Sequence, residues 1–195
     1  MGRVRGTVDP GTARAFVEAL KLLPQKVERT ITELEPKAKA LAASWRTARD
    51  VFYIGRAIDY AVAMEGQLKL KEIAYVHAEA LAAGELKHGT LALIEPGTPV
   101  VALVTQNRLF DKSVSNLKEV AARGGTIVAL AMEDCPNRAV LEDTAGEVWY
   151  LPKTEEELAG VVAAVPLQLL AYYSAVERGC DVDKPRNLAK SVTVE

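Results

Sequence analysis

The chain has 195 residues, of which 49% are hydrophobic and 26% charged, so it is long enough for one sizeable core with a small appendage. The formal charge is −2 and no run of like charges occurs, which argues against a nucleic-acid surface or a basic membrane patch. We find no apolar stretch long enough to span a membrane and no signal peptide, and two cysteines are too few for a disulfide framework or a zinc site. These features predict a cytoplasmic protein with reduced thiols.

Residues 1–50 are predicted to form a helical lead-in segment. Apolar residues recur at helical spacing, and Thr12 can cap a first helix. Pro24 and Pro36 each stand where a new helix can begin, because proline is tolerated in a first helical turn. The predicted helices cover residues 12–23, 25–34 and 36–46.

From residue 51 the pattern changes to short apolar runs separated by helical segments. The predicted strands are residues 51–55, 99–106, 126–133 and 147–152, and the predicted helices are 61–73, 111–123 and 154–178. Pro166 predicts a kink or a break in the last helix. Strands that are apolar throughout indicate a sheet covered on both faces. The predicted fold class is therefore α/β, a three-layer α/β/α sandwich with a mostly parallel sheet over residues 51–180, followed by a tail at 181–195.

The stretch 60–94 contains the candidate chemistry. Glu65, Lys69 and Glu72 fall at i, i+4 and i+7 of the predicted helix, so three charges share one stripe. By spacing alone this stripe is an ordinary solvated face. Beyond it we expect a second helical segment that carries Lys87-His88-Gly89.

Several strings in this order resemble one family. They are EGQLKLKEI, HAEA, GELKHGTLALI, PLQLLAYY and the terminal PRNLAKSVTVE. Together they are similar to the second sugar-isomerase (SIS) domain of glucosamine-6-phosphate synthase, the isomerising glutamine:fructose-6-phosphate aminotransferase. The resemblance implies the SIS fold and an enzyme that converts fructose 6-phosphate and glutamine-derived ammonia to glucosamine 6-phosphate.

The resemblance also implies roles for four residues, with no cofactor and no metal. Glu72 matches the family's isomerisation base, and Lys69 matches the lysine that assists proton movement near the sugar oxygens. His88 matches the histidine of ring opening, which reaches the neighbouring subunit and so implies a homodimer. Lys190 matches the lysine that forms a Schiff base with the open-chain ketose, within a tail that covers the active site.

Other polar residues receive plainer interpretations. His77 is the weaker histidine candidate and is expected to satisfy backbone groups. Glu65 is expected to support Lys69 or a backbone group. Arg186 and Asn187 could dock the tail, although a surface salt bridge fits them equally well.

Two parts of a complete active site are missing from the sequence. The loop Thr105–Ser113 lacks the Ser-Gly pair of the family's phosphate-binding loop, and Leu109 and Phe110 fill it instead. No cysteine precedes Cys135, so the glutaminase nucleophile is absent too. We therefore expect a chain that needs the first SIS domain and the glutaminase domain as partners and is inactive alone.

Two further functions remain open on sequence grounds. A non-catalytic SIS module could bind sugar phosphate or mediate dimerisation, and the altered loop favours it. The lysine, glutamate and histidine listed above favour an enzyme instead. A phosphosugar isomerase of the phosphoglucose type ranks low, because it would not predict the terminal PRNLAKSVTVE.

Overall fold

A computed structural model describes residue 2 and residues 4–188. The helices are α1 (Pro10–Ser44), α2 (Ile58–Ala74), α3 (Phe110–Ala121), α4 (Arg138–Ala145) and α5 (Glu156–Glu177). The strands are β1 (Asp50–Gly55), β2 (His77–Ala82), β3 (Pro99–Val104), β4 (Thr126–Met132) and β5 (Glu147–Leu151). Three short 3-10 helices follow β2 and β3, at Ala83–His88, Thr90–Leu93 and Asn107–Leu109.

The five strands form one parallel sheet in the order β2-β1-β3-β4-β5. Alternate side chains of β1 enter two separate cores: Tyr53 packs with α1, α2 and α5, and Phe52 packs with α3, α4 and the 3-10 helices. Because both faces are covered, these strands are apolar at nearly every position. The predicted three-layer α/β/α fold with a parallel sheet is confirmed.

The sequence pattern does not predict β2. Its HAEALA string mixes alanines with His77 and Glu79, and neither residue type favours a strand. As an edge strand, β2 pairs only with β1, so it needs fewer buried apolar side chains than the central strands. The expected second helical segment follows β2, in the form of two short 3-10 helices, the first of which ends at His88.

The prediction of three N-terminal helices is wrong, because α1 runs unbroken for 35 residues with Pro24 and Pro36 inside it. A proline inside a helix frees the carbonyl four residues earlier, here those of Leu20 and Thr32. All four residues are exposed, so water can satisfy the freed carbonyls. The C-terminal half of α1 packs on α5 and buries Leu34, Ala38, Leu41 and Ala42 in the core.

Helix α5 also runs unbroken, through Pro166. By length and composition it is apolar enough to cross a membrane, so the expectation that no stretch reaches that length is wrong. Half of its most apolar window is buried inside the molecule, where α5 packs against both α1 and α2. Within the fold, α5 is a core helix.

Gly66 sets how closely α2 approaches the sheet. A Cβ atom at this position would lie 2.9 Å from the Tyr53 ring and 2.8 Å from a methyl group of Leu167. Both neighbours are fully buried, so the Tyr53 ring has little room to move. Only a residue without a side chain allows α2 to sit at this depth.

Candidate active site

Lys69 and Glu72 form the closest charged pair of the candidate site. They lie one turn apart on α2, with Lys69 Nζ 2.8 Å from Glu72 Oε2 and 3.8 Å from Glu65 Oε1. The structure therefore brings two predicted catalytic residues together, with Glu65 as the supporting carboxylate. All three side chains are between 29% and 40% exposed.

The pair lies at the amino edge of the sheet, where the parallel strands begin. Helix α2 begins just after β1 ends and runs back along the strands. Glu72 is 14 residues after Ile58, about 21 Å along the helix axis, which is close to the length of a six-residue strand. Ligands in open α/β sheets ordinarily bind at the opposite, carboxyl edge. Lys69 and Glu72 are therefore displayed away from the usual ligand position of their own sheet.

The electrostatics of the pair favour an ionised lysine. The hydrogen bond to Glu72 raises the pKa of Lys69, against a smaller opposing effect of burial. A glutamate acts as a base near neutral pH when water is excluded around it. At 29% exposure, the Glu72 side chain does not have such surroundings within the described part of the chain.

The chain after α5 returns to the end of α2. The backbone N–H of Arg186 donates to the hydroxyl of Tyr75 at 2.8 Å, and its guanidinium stacks 4.2 Å from the centre of the Tyr75 ring. Tyr75 is the left-handed residue that ends α2, three residues after Glu72. Arg186 thus docks the tail near the candidate pair, whereas Lys190 lies outside the described residues.

His88 is not brought to Lys69 and Glu72. It ends the 3-10 helix whose Leu86 is buried in the core of the opposite face of the sheet. Its side chain is 74% exposed, and its closest charged neighbour among the described residues is Glu85 at 3.8 Å. Gly89 follows with φ of +146°, a value that side chains rarely permit. The turn therefore presents the imidazole outward.

Among the described residues, the His77 side chain bonds a carboxylate and no backbone group, so the expectation that it satisfies backbone groups is wrong. Its Nδ1 lies 2.7 Å from Asp50 Oδ1, across the first pair of the β1–β2 register. Both side chains are exposed. They line an open cleft of about 370 Å³ at the amino edge. Phe52 also lines this cleft, and its side chain lies on the face of the sheet that α3 covers.

The carboxyl edge between β1 and β3 is closed by a carboxylate from the chain itself. Asp59 accepts the backbone N–H of Thr105 at 2.9 Å and the Thr105 hydroxyl at 2.5 Å. The strand order reverses at this point, and a doubly wound sheet ordinarily binds its ligand there. Asp59 is 2% exposed, and this burial raises the pKa of its carboxyl group. The donors that a phosphate would use are thus already occupied.

Sequence reasoning overlooked Asp59, although a signal was present. The buried face of α2 repeats at Asp59, Val62, Ala63, Gly66 and Leu70, so the only acid on that face stands in its first turn. The loop residues Leu109 and Phe110 do not fill the anion position: Phe110 begins α3 and is buried in the core. Among the described residues, no group of three or more His, Cys, Asp or Glu side chains is arranged to hold a metal ion.

Comparison with known proteins assigns the family. The sequence profile of the SIS domain matches residues 45–178 of the chain. The chain belongs to the SIS domain family. Solved phosphosugar isomerases share the SIS fold at low identity, for example one from Salmonella typhimurium with a TM-score of 0.71 and 18% identity over 88% of this chain and half of that one.

More similar relatives of this SIS chain carry the name expected from its motifs. Glutamine–fructose-6-phosphate aminotransferase [isomerizing] of Caldanaerobacter subterraneus is 56% identical over 98% of the chain, and that of Symbiobacterium thermophilum is 53% identical over all of it. The C-terminal domain of glucosamine-fructose-6-phosphate aminotransferase from Francisella tularensis superimposes with a TM-score of 0.85 and 36% identity, over 93% of this chain and 50% of that one. The resemblance inferred from sequence is confirmed. The chain spans 31% of the length of the two aminotransferases.

Proposed function

We propose that this SIS chain supplies the proton-transfer residues of an isomerising aminotransferase that makes glucosamine 6-phosphate from fructose 6-phosphate and glutamine-derived ammonia. The observation that carries the proposal is the Lys69–Glu72 pair, held at 2.8 Å on one face of α2. Its support is the high identity to named enzymes over the whole chain. In such a protein we expect a cytoplasmic location.

Each residue has a defined chemical task in this reaction. The C2 ketone of the open sugar first condenses with the Lys190 amine and releases water, and ammonia then adds to this Schiff base and displaces the lysine amine to give an imine at C2. Glu72 then removes a proton from C1 and returns it to C2, while the hydroxyl proton of O1 passes to the nitrogen, which leaves an aldehyde at C1 and an amine at C2. Lys69, one turn away, neutralises the negative charge that develops on the sugar oxygens during this transfer.

His88 and Lys190 complete the proposed set. Because the His88 segment packs on the opposite face from α2, this histidine would serve the site of a second copy, where it opens the sugar ring. Lys190 would hold the ketose as a Schiff base. Arg186 docks beside Tyr75, and four further residues reach at most about 14 Å, so the covalent reach supports a tail lysine near Glu72.

The phosphate clamp must come from a partner. Asp59 closes the carboxyl edge of this sheet. At the amino edge, the Glu72 side chain is still partly exposed to water. Exposed Met64 and Leu68 flank the charged stripe of α2 and suit a docked domain. We propose that the first SIS domain docks there with its own carboxyl edge, binds the phosphate and excludes water. The glutaminase domain would supply the ammonia. In a homodimer, the second copy would supply its His88.

A titration tests this division of labour. Fructose 6-phosphate and glucosamine 6-phosphate are titrated calorimetrically into the chain alone, with light scattering for its mass. We expect no binding up to millimolar sugar and the mass of a dimer. Micromolar binding to the chain alone would contradict the proposal that its own phosphate position is closed.

A reconstitution tests the chemistry. The chain is mixed with the part of the Caldanaerobacter relative that it does not match, and glucosamine 6-phosphate formation from fructose 6-phosphate and glutamine is followed. Glu72→Gln should lower turnover at least about 100-fold, because the loss of a general acid–base group typically has an effect of this size. Glu28→Gln, the same change at an exposed carboxylate of α1, is the control and should retain turnover. A stable complex that binds sugar but gives no turnover would favour a non-catalytic SIS module.

A further inference from the structure

Buried polar side chains are concentrated at the carboxyl edge of the sheet. The described part of the chain buries seven polar or charged residues, and five of them lie around this edge: Asp59, Thr105, Gln106, Ser113 and Asn116. Burial of polar groups is unfavourable unless each finds a partner. An edge that binds no ligand gains nothing for catalysis from such groups, so their arrangement calls for a different role.

The contacts around these residues form one continuous chain across the edge. Arg108 donates to the side-chain oxygen of Gln106 at 2.9 Å, and the amide nitrogen of Gln106 donates to the backbone carbonyl of Arg56 at 2.6 Å. The Arg56 guanidinium then donates twice to Asn116 Oδ1, at 3.0 and 2.7 Å. This fork fixes Arg56 relative to α3 with a geometry that a lysine cannot reproduce.

The chain of contacts ends at the segment that carries His88. The Arg56 guanidinium covers Gly84, where a Cβ atom would lie 3.5 Å from it. One residue before His88, the Lys87 ammonium lies 3.3 Å from Glu119 Oε1, and that oxygen also accepts a long 3.5 Å bond from Asn116. The Arg56 guanidinium thus packs against the beginning of this 3-10 helix, and an ion pair with α3 holds its end.

We propose that Arg56 and Asn116 are positioning residues for His88. The inference rests on the proposed catalytic role of that histidine. Because the imidazole is 74% exposed, its own side-chain contacts cannot fix it, and its position depends on the backbone beneath. The Arg56–Asn116 fork orders that backbone, so that the imidazole projects in one direction toward a second copy. Polar groups at the carboxyl edge of this sheet thus support His88, which acts in the site of a second copy.

A purely apolar anchor is the competing explanation. Leu86 is fully buried and Leu91 is 8% exposed, and both pack on the same core as α3. If these two leucines suffice, loss of the polar fork changes nothing in the segment. The two explanations therefore predict different local mobility.

Hydrogen exchange followed by mass spectrometry on the full chain separates them. Asn116→Leu keeps the volume and removes the acceptor, and we expect amides of residues 83–93 to exchange about ten times faster, while those of 126–132 are unchanged. Arg56→Lys keeps the charge but cannot form the fork, so it should accelerate exchange of the same amides. Lys112→Met, a change of an exposed cation on α3, is the control for a nonspecific effect. Unchanged exchange in a folded Asn116→Leu protein, or equal acceleration throughout the molecule, overturns the proposal.

Turnover in the reconstituted mixture tests the catalytic consequence. We expect Asn116→Leu and Arg56→Lys each to lower kcat about tenfold with KM for fructose 6-phosphate within twofold. A loosened segment with unchanged kcat overturns the positioning role. If the unmodified mixture has no activity, the proposed function fails, and the exchange experiment still decides whether the fork orders the segment.

Discussion

The two edges of the sheet contrast in how they treat polar groups. At the carboxyl edge, Asp59 and Thr105 are at most 4% exposed and bond to each other. At the amino edge, Lys69 and Glu72 remain about one-third exposed and, within residues 4–188, pair along their own helix. The first arrangement is complete within the chain, whereas the second leaves polar atoms available to an incoming group.

This contrast separates a structural edge from the edge that carries the proposed reactive groups. A buried, fully bonded carboxylate stabilises one conformation, because leaving its partners unpaired is costly. A half-exposed ion pair contributes little to stability but retains its chemistry. The usual position of a ligand in this fold class therefore does not locate the groups that we propose to be reactive in this chain.

Loss of the Asp59 carboxylate should break the closed edge. Asp59→Ala leaves the buried N–H of Thr105 without an acceptor, so we expect the free energy of unfolding to fall by about 1–3 kcal/mol. Urea unfolding followed by circular dichroism measures this change. Asp59→Asn is the matched control, because its oxygen can accept the N–H and its amide can donate to the Thr105 hydroxyl. An equal loss in both variants would show that the charge, not the hydrogen bond, matters.

The same residue predicts a pH dependence. Burial raises the pKa of Asp59 above its ordinary value of 3.8, so the folded state binds this proton more tightly than the unfolded state. Its contribution to stability is therefore present below pH 3.8 and is lost as the pH rises through the folded pKa. Asn cannot titrate, so Asp59→Asn should gain stability relative to the unmodified chain from pH 3 to pH 7. The difference between their urea midpoints isolates this effect from Glu133, whose lowered pKa acts in the opposite direction.

Ala57 offers a smaller change at the closed edge. It stands just before α2 with φ of 49° and ψ of −118°, a conformation that suits glycine rather than alanine. Ala57→Gly removes this strain but increases the entropy of the unfolded chain, and we expect a net stabilisation of about 0.5–1 kcal/mol. The thermal midpoint reports it. A lower midpoint would mean that the turn is not strained in solution.

At the open edge, we expect almost no effect on stability. Glu72→Gln removes one partner of a partly exposed ion pair, whose typical contribution is about 0–1 kcal/mol and is screened by salt. Urea unfolding at two salt concentrations checks this expectation. A loss as large as that in Asp59→Ala would make Glu72 a structural residue and remove the contrast between the edges.

The sequence predicts features that depend on neighbouring positions. The strands β1, β3, β4 and β5 follow from uninterrupted apolar runs, and the Lys69–Glu72 pair follows from one helical turn. The unbroken α1 and the strand β2 depend instead on packing: α5 holds the proline-containing helix together, and pairing with β1 makes a strand of HAEALA.

Features that join distant parts of the chain are not predictable in this way. Asp59 and Thr105 are 46 residues apart, and Arg56 and Asn116 are 60 apart. Each pair meets only because β1 and β3 are neighbours in the sheet and α3 covers one face. Residue type suggested the acidic and basic chemistry, but the strand order decides which groups touch.

Gly66 has a consequence for the height of Glu72, the carboxylate that we propose as the base. This glycine lies six residues before Glu72, about 9 Å along the same rigid helix. At Gly66 no side chain separates α2 from the Tyr53 ring, and any side chain there would tilt or lift the helix. A methyl group buried on one side of α2 would thus move a carboxylate on the other side out of reach of a sugar carbon. The missing side chain of Gly66 therefore sets the distance between the Glu72 carboxylate and a sugar carbon in the proposed site.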